Sequence, residues 1–297
     1  MKFLKLIGFE NLIILAFAQF IIKYGFLDFQ PDLMLALNEG SYTLLVLASV
    51  LIAAGGFLIN NITSRGSERY GISESVAYYI YGGLTIGGLA IGYYLSNFIG
   101  RPSFLLVFGL TVATLYFYAT SLKESLLLGN IVIAFIIALA VIVIGIFNLY
   151  PMVGVFNLSQ LATIFDLLLD YSVFTLIIGL MITLVKDLKD TDVDYNEGLN
   201  TLPIAIGKKR TAKIVFAIGL VATALLLYYA NAYLKELLWA LGYGLLFVLG
   251  PIIYFLINIL TAKTTKEFAV LEIILKFTLF FTAISIAVIT FNIKYNA

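Results

Sequence analysis

Apolar runs of roughly twenty residues recur from one end of the chain to the other, with short polar breaks between them. Each run is long enough to cross the hydrocarbon core of a bilayer as a helix. The ten-residue alternating segments of a membrane β-barrel are absent. Nine runs can be drawn, at about 6–27, 41–59, 74–98, 103–121, 128–149, 160–185, 212–231, 236–260 and 268–292. Turn signals mark the breaks: Gln30-Pro31-Asp32, Gly100-Arg101-Pro102, Tyr150-Pro151, and Asn200 to Pro203. The pattern predicts an all-α polytopic membrane protein of nine transmembrane helices, forming a single domain over 1–297. Lys2 and Lys5 stand before the first run as they would in a signal peptide. No small-residue cleavage pattern follows, so the run reads as a retained first helix.

Composition sharpens the picture. Of 297 residues, 62% are hydrophobic and 12% charged, against about 25% charged in soluble domains. The net charge of +1 gives no electrostatic case for nucleic acid. With no cysteine and no histidine, disulfides, thiolate chemistry, the usual zinc ligand and the usual neutral-pH base are all excluded. Any metal is therefore expected to be a hard cation held by oxygen.

Basic residues set the expected orientation. With the N-terminus inside, thirteen Lys and Arg fall on inside segments and four (Lys23, Arg101, Lys235 and Lys294) on outside ones, with Lys276 inside the last run. That asymmetry predicts a cytoplasmic N-terminus and an external C-terminus. Two polar inside segments then lie four helices apart, after the second and sixth runs. This suggests two four-helix halves plus a final helix, with a site at the interface of the repeats. In the third run, Gly83, Gly87, Gly88 and Gly92 follow small-xxx-small spacing, which reads as close helix packing, with a lipid-tail groove as the alternative.

The sixth run ends in "LVKDLKDTDVDYNEGLNTLPIAIGKKR". Asp187, Asp190 and Asp194 stand at i, i+3 and i+7, so a helix continued through them would carry all three on one face. Three like charges on one face repel unless a divalent cation sits among them. Mg2+, which favours carboxylates, water and phosphate oxygens, suits that role. A wet, charged helix end interleaved with Lys186 and Lys189 is the plain alternative, and spacing alone leaves both open.

The motif wording resembles the UbiA superfamily of intramembrane prenyltransferases. Asp187, Asp190 and Asp194 match that family's second Asp-x-x-Asp-x-x-x-Asp motif, and "GLNTLPIAIGKKRTAK" resembles its Gly-x-x-Thr-Leu-Pro continuation. "YATSLKESLLLGN" is similar to its Tyr-and-Lys element followed by Leu-x-Gly-Asn. The first motif departs. Where the family has Asn-Asp-x-x-Asp-x-x-x-Asp, this chain has Asn60, Asn61, Ser64 and Glu68, with Arg65 at the basic position that often follows the second aspartate. Ile182-Thr183 stand where members often carry Arg-Glu.

The resemblance implies a nine-helix bundle around a central cavity and a Mg2+-dependent transfer of a polyprenyl group from its diphosphate to a lipid or aromatic acceptor. Geranylgeranyl diphosphate or a similar donor is expected. Asp187, Asp190, Asp194 and Lys123 become the catalytic set, with the three aspartates and Glu68 as metal ligands. Asn60, Asn61, Ser64, Arg65, Glu68 and Lys123 become substrate contacts. Neutral Asn61 and Ser64 predict weaker metal binding on the first motif and reduced activity. The Leu-Tyr-Pro and Tyr-Ala-Thr wording resembles bacterial members grouped with geranylgeranylglycerol-phosphate geranylgeranyltransferases, which implies a plasma-membrane enzyme. Two other readings remain: a non-catalytic relative that binds prenyl lipid or Mg2+, and a transporter using the intramembrane acids Asp166 and Asp170. Glu272 and Lys276, one turn apart, read as a local ion pair.

Overall fold

A computed structural model describes residues 2–154 and 157–295, apart from the side chain of Arg65. Among the described residues the regular structure is helical throughout. In chain order the α-helices are α1 Lys2–Leu6, α2 Phe9–Gly25, α3 Glu39–Arg65, α4 Glu74–Phe98, α5 Leu105–Thr120 and α6 Leu128–Asn148. They continue as α7 Leu158–Asn196, α8 Leu202–Ile206, α9 Lys208–Tyr229, α10 Leu238–Tyr243, α11 Gly250–Ile259 and α12 Thr265–Tyr295. Among the described residues, eight helical segments are long and apolar enough to cross a membrane. The third expected span, 74–98, forms the 25-residue α4 but is not among the eight. Its many Gly and Tyr residues dilute its apolar character, which is why it falls outside the eight. The chain is an integral, multi-pass membrane protein.

The first run is not one helix. Gly8, at φ +66°, separates α1 from α2. A Cβ there would lie 2.7 Å from the Phe57 ring, so glycine satisfies both the left-handed backbone and the close approach. Two other helices outrun their apolar stretches. α3 continues through Asn60 to Arg65, and α7 runs 39 residues, through all the motif aspartates.

The chain divides into two compact units, interleaved in sequence rather than arranged as successive halves. The first comprises residues 1–19, 32–123 and 139–171. In it, small residues let α3, α4 and α5 approach closely. A Cβ on Gly88 would meet Ile52 at 2.6 Å, and one on Gly92 would meet Phe108 at 2.5 Å. Gly83 faces open space. The packing reading therefore holds at Gly88 and Gly92 and not at Gly83. Gly92→Ala should lower the thermal midpoint in detergent by the equivalent of about 1–3 kcal/mol of overpacking, while Gly83→Ala leaves it unchanged. A buried polar cluster also serves this unit. Gln19 donates to Ser49 Oγ at 3.2 Å and to the Ala140 carbonyl at 2.9 Å, and the Tyr42 hydroxyl donates to the Gln19 carbonyl.

The second unit comprises residues 20–31, 124–138 and 172–297. Leu184, Val185 and Leu188 of α7 pack with Val215 of α9, Phe255 of α11 and Leu271 of α12 in one buried cluster. Pro251 stands inside the eighth expected span. It is accommodated by the π-helical segment Gly244–Leu249 just before it, which loosens the hydrogen-bond ladder where proline offers no N–H. At the start of α10, the Ala240 N–H donates to Asn292 Oδ1 of α12 at 2.9 Å, satisfying one of the otherwise unpaired amides of a helix start. Lys23, expected on an outside segment, is buried and paired with Asp28 at 2.9 Å, so it is not a solvated loop charge.

Candidate functional site

The sequence-selected residues fall into two sets, one in each unit. In the second unit, α7 stays helical to Asn196, so Asp187, Asp190 and Asp194 do share a face, a different one from Leu184, Val185 and Leu188. Gly198, at φ +75°, ends this helix. Its N–H donates to the Tyr195 carbonyl at 3.2 Å, and the Leu199 N–H reaches back to the Asp194 carbonyl at 3.0 Å. This paired closure needs a left-handed residue, and glycine supplies it. The Gly198 that opens "GLNTLP" is thus the stop signal for the motif helix.

Asp187 Oδ2 accepts a 2.7 Å hydrogen bond from Asn130 Nδ2 of α6. Asn130 belongs to the Leu-x-Gly-Asn stretch quoted from the sequence, but its role as partner to Asp187 was not legible there. Asp190 lies 4.0 Å from Lys189 Nζ, and Asp194 is buried. Asp192, off this face, is exposed and paired with Lys208 at 3.1 Å. Lys189 also donates to Glu272, which is joined to Lys276 at 2.8 Å. The local Glu272–Lys276 pair is present as expected, but it is two-thirds of a triad that clamps α12 to the motif helix.

Among the described residues, no three carboxylates gather closely enough to enclose a metal ion by themselves. Helical rise explains this. Seven residues at 1.5 Å each put the Asp187 and Asp194 backbones about 10 Å apart, while Mg2+ ligands stand at about 2.1 Å. Neighbouring pairs of these carboxylates can each contribute to an ion completed by phosphate oxygens and water, which is how Mg2+ is usually held. The donor set therefore fits Mg2+ brought in with a phosphorylated substrate.

In the first unit the picture differs. Asn60 is buried, and its Oδ1 has no hydrogen-bond partner among the described residues. Asn61 Nδ2 donates to the Leu6 carbonyl at 2.8 Å, tying α1 to α3. The Ser64 hydroxyl donates to the Asn60 carbonyl at 2.6 Å and accepts from Lys123 Nζ. Lys123 sits in the short 3-10 turn Leu122–Glu124. Nearby, Thr63 Oγ1 donates to the Ala119 carbonyl at 3.1 Å and so fixes the end of α5 against α3. α3 stops at Arg65, where Gly66 takes φ +71°. Glu68 therefore lies beyond the helix, on the exposed turn Glu68–Tyr70. Asn61, Ser64 and Glu68 do not share a helical face as the second motif's aspartates do. The Arg65 side chain lies outside the described residues. Asp166 is exposed and Asp170 half-buried on α7.

No family model matches the chain. Over 212 residues it is 29% identical to the digeranylgeranylglyceryl phosphate synthase of Sulfolobus acidocaldarius, covering 67% of this chain and 66% of that protein. Over 276 residues it is 26% identical to the same-named synthase of Metallosphaera sedula, covering 89% and 87%. The fold is that of a UbiA homologue from Aeropyrum pernix K1 in its apo form, at a TM-score of 0.67 over 97% of this chain and 98% of that one, with 16% identity. It is also that of a UbiA homologue from Archaeoglobus fulgidus bound to DMAPP and Mg2+, at 0.60 over 96% and 99%, with 15% identity. The chain is thus a helical membrane protein with the fold of UbiA homologues. Its sequence relatives are two digeranylgeranylglyceryl phosphate synthases.

Proposed function

We propose that this chain is a Mg2+-dependent prenyltransferase that moves a polyprenyl group from its diphosphate to the hydroxyl of a prenylated glyceryl phosphate within the membrane. The observation that carries the reading is the second motif: three carboxylates on one face of α7, the first of them held by Asn130. The names of the two sequence relatives support the acceptor class, and the Archaeoglobus homologue with DMAPP and Mg2+ supports the donor and the ion.

In this proposal Asp187, Asp190 and Asp194 would hold Mg2+ at the diphosphate-binding end of the site. The ion, when bound, counters the negative charge that gathers on the leaving diphosphate. Asn130 fixes the Asp187 carboxylate. The allylic carbon–oxygen bond breaks with its electron pair leaving on the diphosphate. The acceptor oxygen bonds to that carbon and gives up its proton. The chain has no histidine for this proton, and the released diphosphate is basic enough to take it.

The test is diphosphate release from geranylgeranyl diphosphate by purified protein in nanodiscs. Release should need both Mg2+ and geranylgeranylglyceryl phosphate. Donor binding without any release would favour the second reading, a non-catalytic prenyl-lipid binder, which neutral Asn61 and Ser64 support. Asn130→Ala should cost about 10–100-fold in activity, as loss of an outer-shell partner does, and should raise the Mg2+ concentration needed for half-maximal rate. Orientation is proposed as N-terminus inside on the count of basic residues. Cysteines placed at 190 and 264 should react with a membrane-impermeant maleimide only from the cytoplasmic side, and one at 101 only from outside. Labelling of 190 from outside would overturn the orientation.

A further inference from the structure

Small residues on facing helices leave a gap where large apolar side chains surround them. In the first unit such a gap forms an open groove of about 570 Å3 between the later half of α4 and the first turns of α5. That volume is within the range of roughly 300–1,000 Å3 common for ligand sites. Ile86, Leu89 and Tyr93 form one wall and Leu106 and Leu110 the other, with Gly109 between them. A Cβ on Gly109 would meet nothing within 4 Å, so this glycine does not serve helix packing as Gly92 does. Both walls stand within expected spans. There a concave apolar surface gains contacts only if hydrocarbon fills it, because a void forfeits dispersion attraction.

A tail alone would make this ordinary bilayer contact. The turn that joins the two helices adds a charge. The Arg101 N–H donates to the Ser96 carbonyl at 2.8 Å, and the Phe104 N–H donates to the Arg101 carbonyl at 2.9 Å, which fixes the turn. The Arg101 side chain is exposed and lies over the Tyr150 ring, 5.9 Å from its centroid. Contact with a ring face leaves guanidinium N–H donors unused, and no carboxylate pairs with Arg101 among the described residues. A guanidinium with unused donors takes phosphate in a two-pronged contact. Leu106 of the groove follows Arg101 by five residues. The first motif packs against the other end of α5, where Thr63 bonds to the Ala119 carbonyl, about 20 Å along the helix from Leu106.

We infer that the α4–α5 groove binds one anionic phospholipid of the bilayer, with its phosphate on Arg101 and one hydrocarbon tail laid against Gly109. The inference goes beyond the proposed function and does not depend on it. Cation and groove match the two ends of such a lipid. A zwitterionic lipid carries a positive charge beside its phosphate, which Arg101 repels.

The experiment counts bound lipids. Purified full-length protein is delipidated in detergent and titrated with dioleoyl phosphatidylglycerol or dioleoyl phosphatidylcholine, and bound lipid is read by native mass spectrometry. One phosphatidylglycerol per chain should bind at least tenfold more tightly than phosphatidylcholine, and this comparison needs no variant. Arg101→Gln should lower the affinity for phosphatidylglycerol to that for phosphatidylcholine. Gly109→Leu, whose Cβ meets no neighbouring atom, should abolish the tight site without lowering the thermal midpoint of the lipid-free protein. Gly83→Leu also enters open space, but position 83 does not line the groove, and the tight site should persist. Equal binding of the two lipids by the unchanged protein would overturn the inference, as would a preference that survives both Arg101→Gln and Gly109→Leu. A dimer that Gly109→Leu takes apart would also overturn it, since the groove would then seat a second copy of the chain. Each of these results leaves the proposed function standing.

Discussion

Asp187→Asn should lower the rate of diphosphate release about a thousandfold or more while leaving the fold intact. The substitution changes almost no volume. The amide carbonyl can still accept the hydrogen bond that Asn130 Nδ2 now makes to the carboxylate at 2.7 Å. What disappears is a full negative charge from the face that also carries Asp190 and Asp194. In the proposed reaction, a hard cation held by two neighbouring carboxylates and substrate oxygens would lose one of its anionic ligands. A deficit of about 4 kcal/mol in stabilising the leaving diphosphate corresponds to roughly a thousandfold in rate. The control is Asp192→Asn. Asp192 is on the same helix but exposed and paired with Lys208, and its substitution should leave the rate within about twofold. The two variants, assayed across a Mg2+ titration with thermal midpoints recorded alongside, separate metal chemistry from general acidity. An Asp187→Asn protein with unchanged rate would remove the second motif from the reaction.

The spans were legible because run length answers directly to bilayer thickness, and eight of the nine runs drawn from sequence meet described helical segments long and apolar enough to cross a membrane. Their ends were less legible, for a physical reason. Apolar periodicity marks the part of a helix that meets lipid, not the part that leaves it. α3 and α7 continue as helices into polar motifs and stop only at Gly66 and Gly198, where the chain turns left-handed. Both glycines stand in the sequence, but only hydrogen-bond geometry singles them out as stops among 24 glycines. The same distinction decides the two motifs. The i, i+3, i+7 spacing of the second motif acts on one helix face because helix continues beneath it. The similar spacing of the first, ending at Glu68, does not, because Gly66 intervenes. The partners were the least legible part. Asn130 lies 57 residues from Asp187 and Ser64 lies 59 from Lys123, and no local pattern announces such pairs. For Asn61 the sequence suggests a weakened metal ligand, whereas the hydrogen bond its side-chain amide donates to the Leu6 carbonyl gives it a structural task that an aspartate could not perform.

Glu272→Leu should be strongly destabilising. Glu272 is buried and receives both Lys189 of the motif helix and Lys276 of its own helix. The two lysine side chains are only 21% and 24% exposed, so water compensates them poorly once the carboxylate is gone. Removing one member of a buried ion cluster typically costs 3–5 kcal/mol, because the charges left behind are unpaired. With partial access of the lysines to water, about 2–4 kcal/mol is the expected loss here. The cost should be that of orphaned charge rather than of a lost attraction, and a second variant distinguishes the two. Glu272→Leu combined with Lys189→Met and Lys276→Met removes every charge of the triad and should recover most of the thermal midpoint, since an apolar replacement of similar volume often matches a buried ion cluster in stability. The triple variant should nonetheless be slower in turnover than the unchanged protein. Lys189 lies 4.0 Å from Asp190, so losing it alters the field along the face that carries the three motif aspartates. If Glu272→Leu alone leaves the midpoint unchanged, the triad does not join α12 to the motif helix in any way that matters to stability.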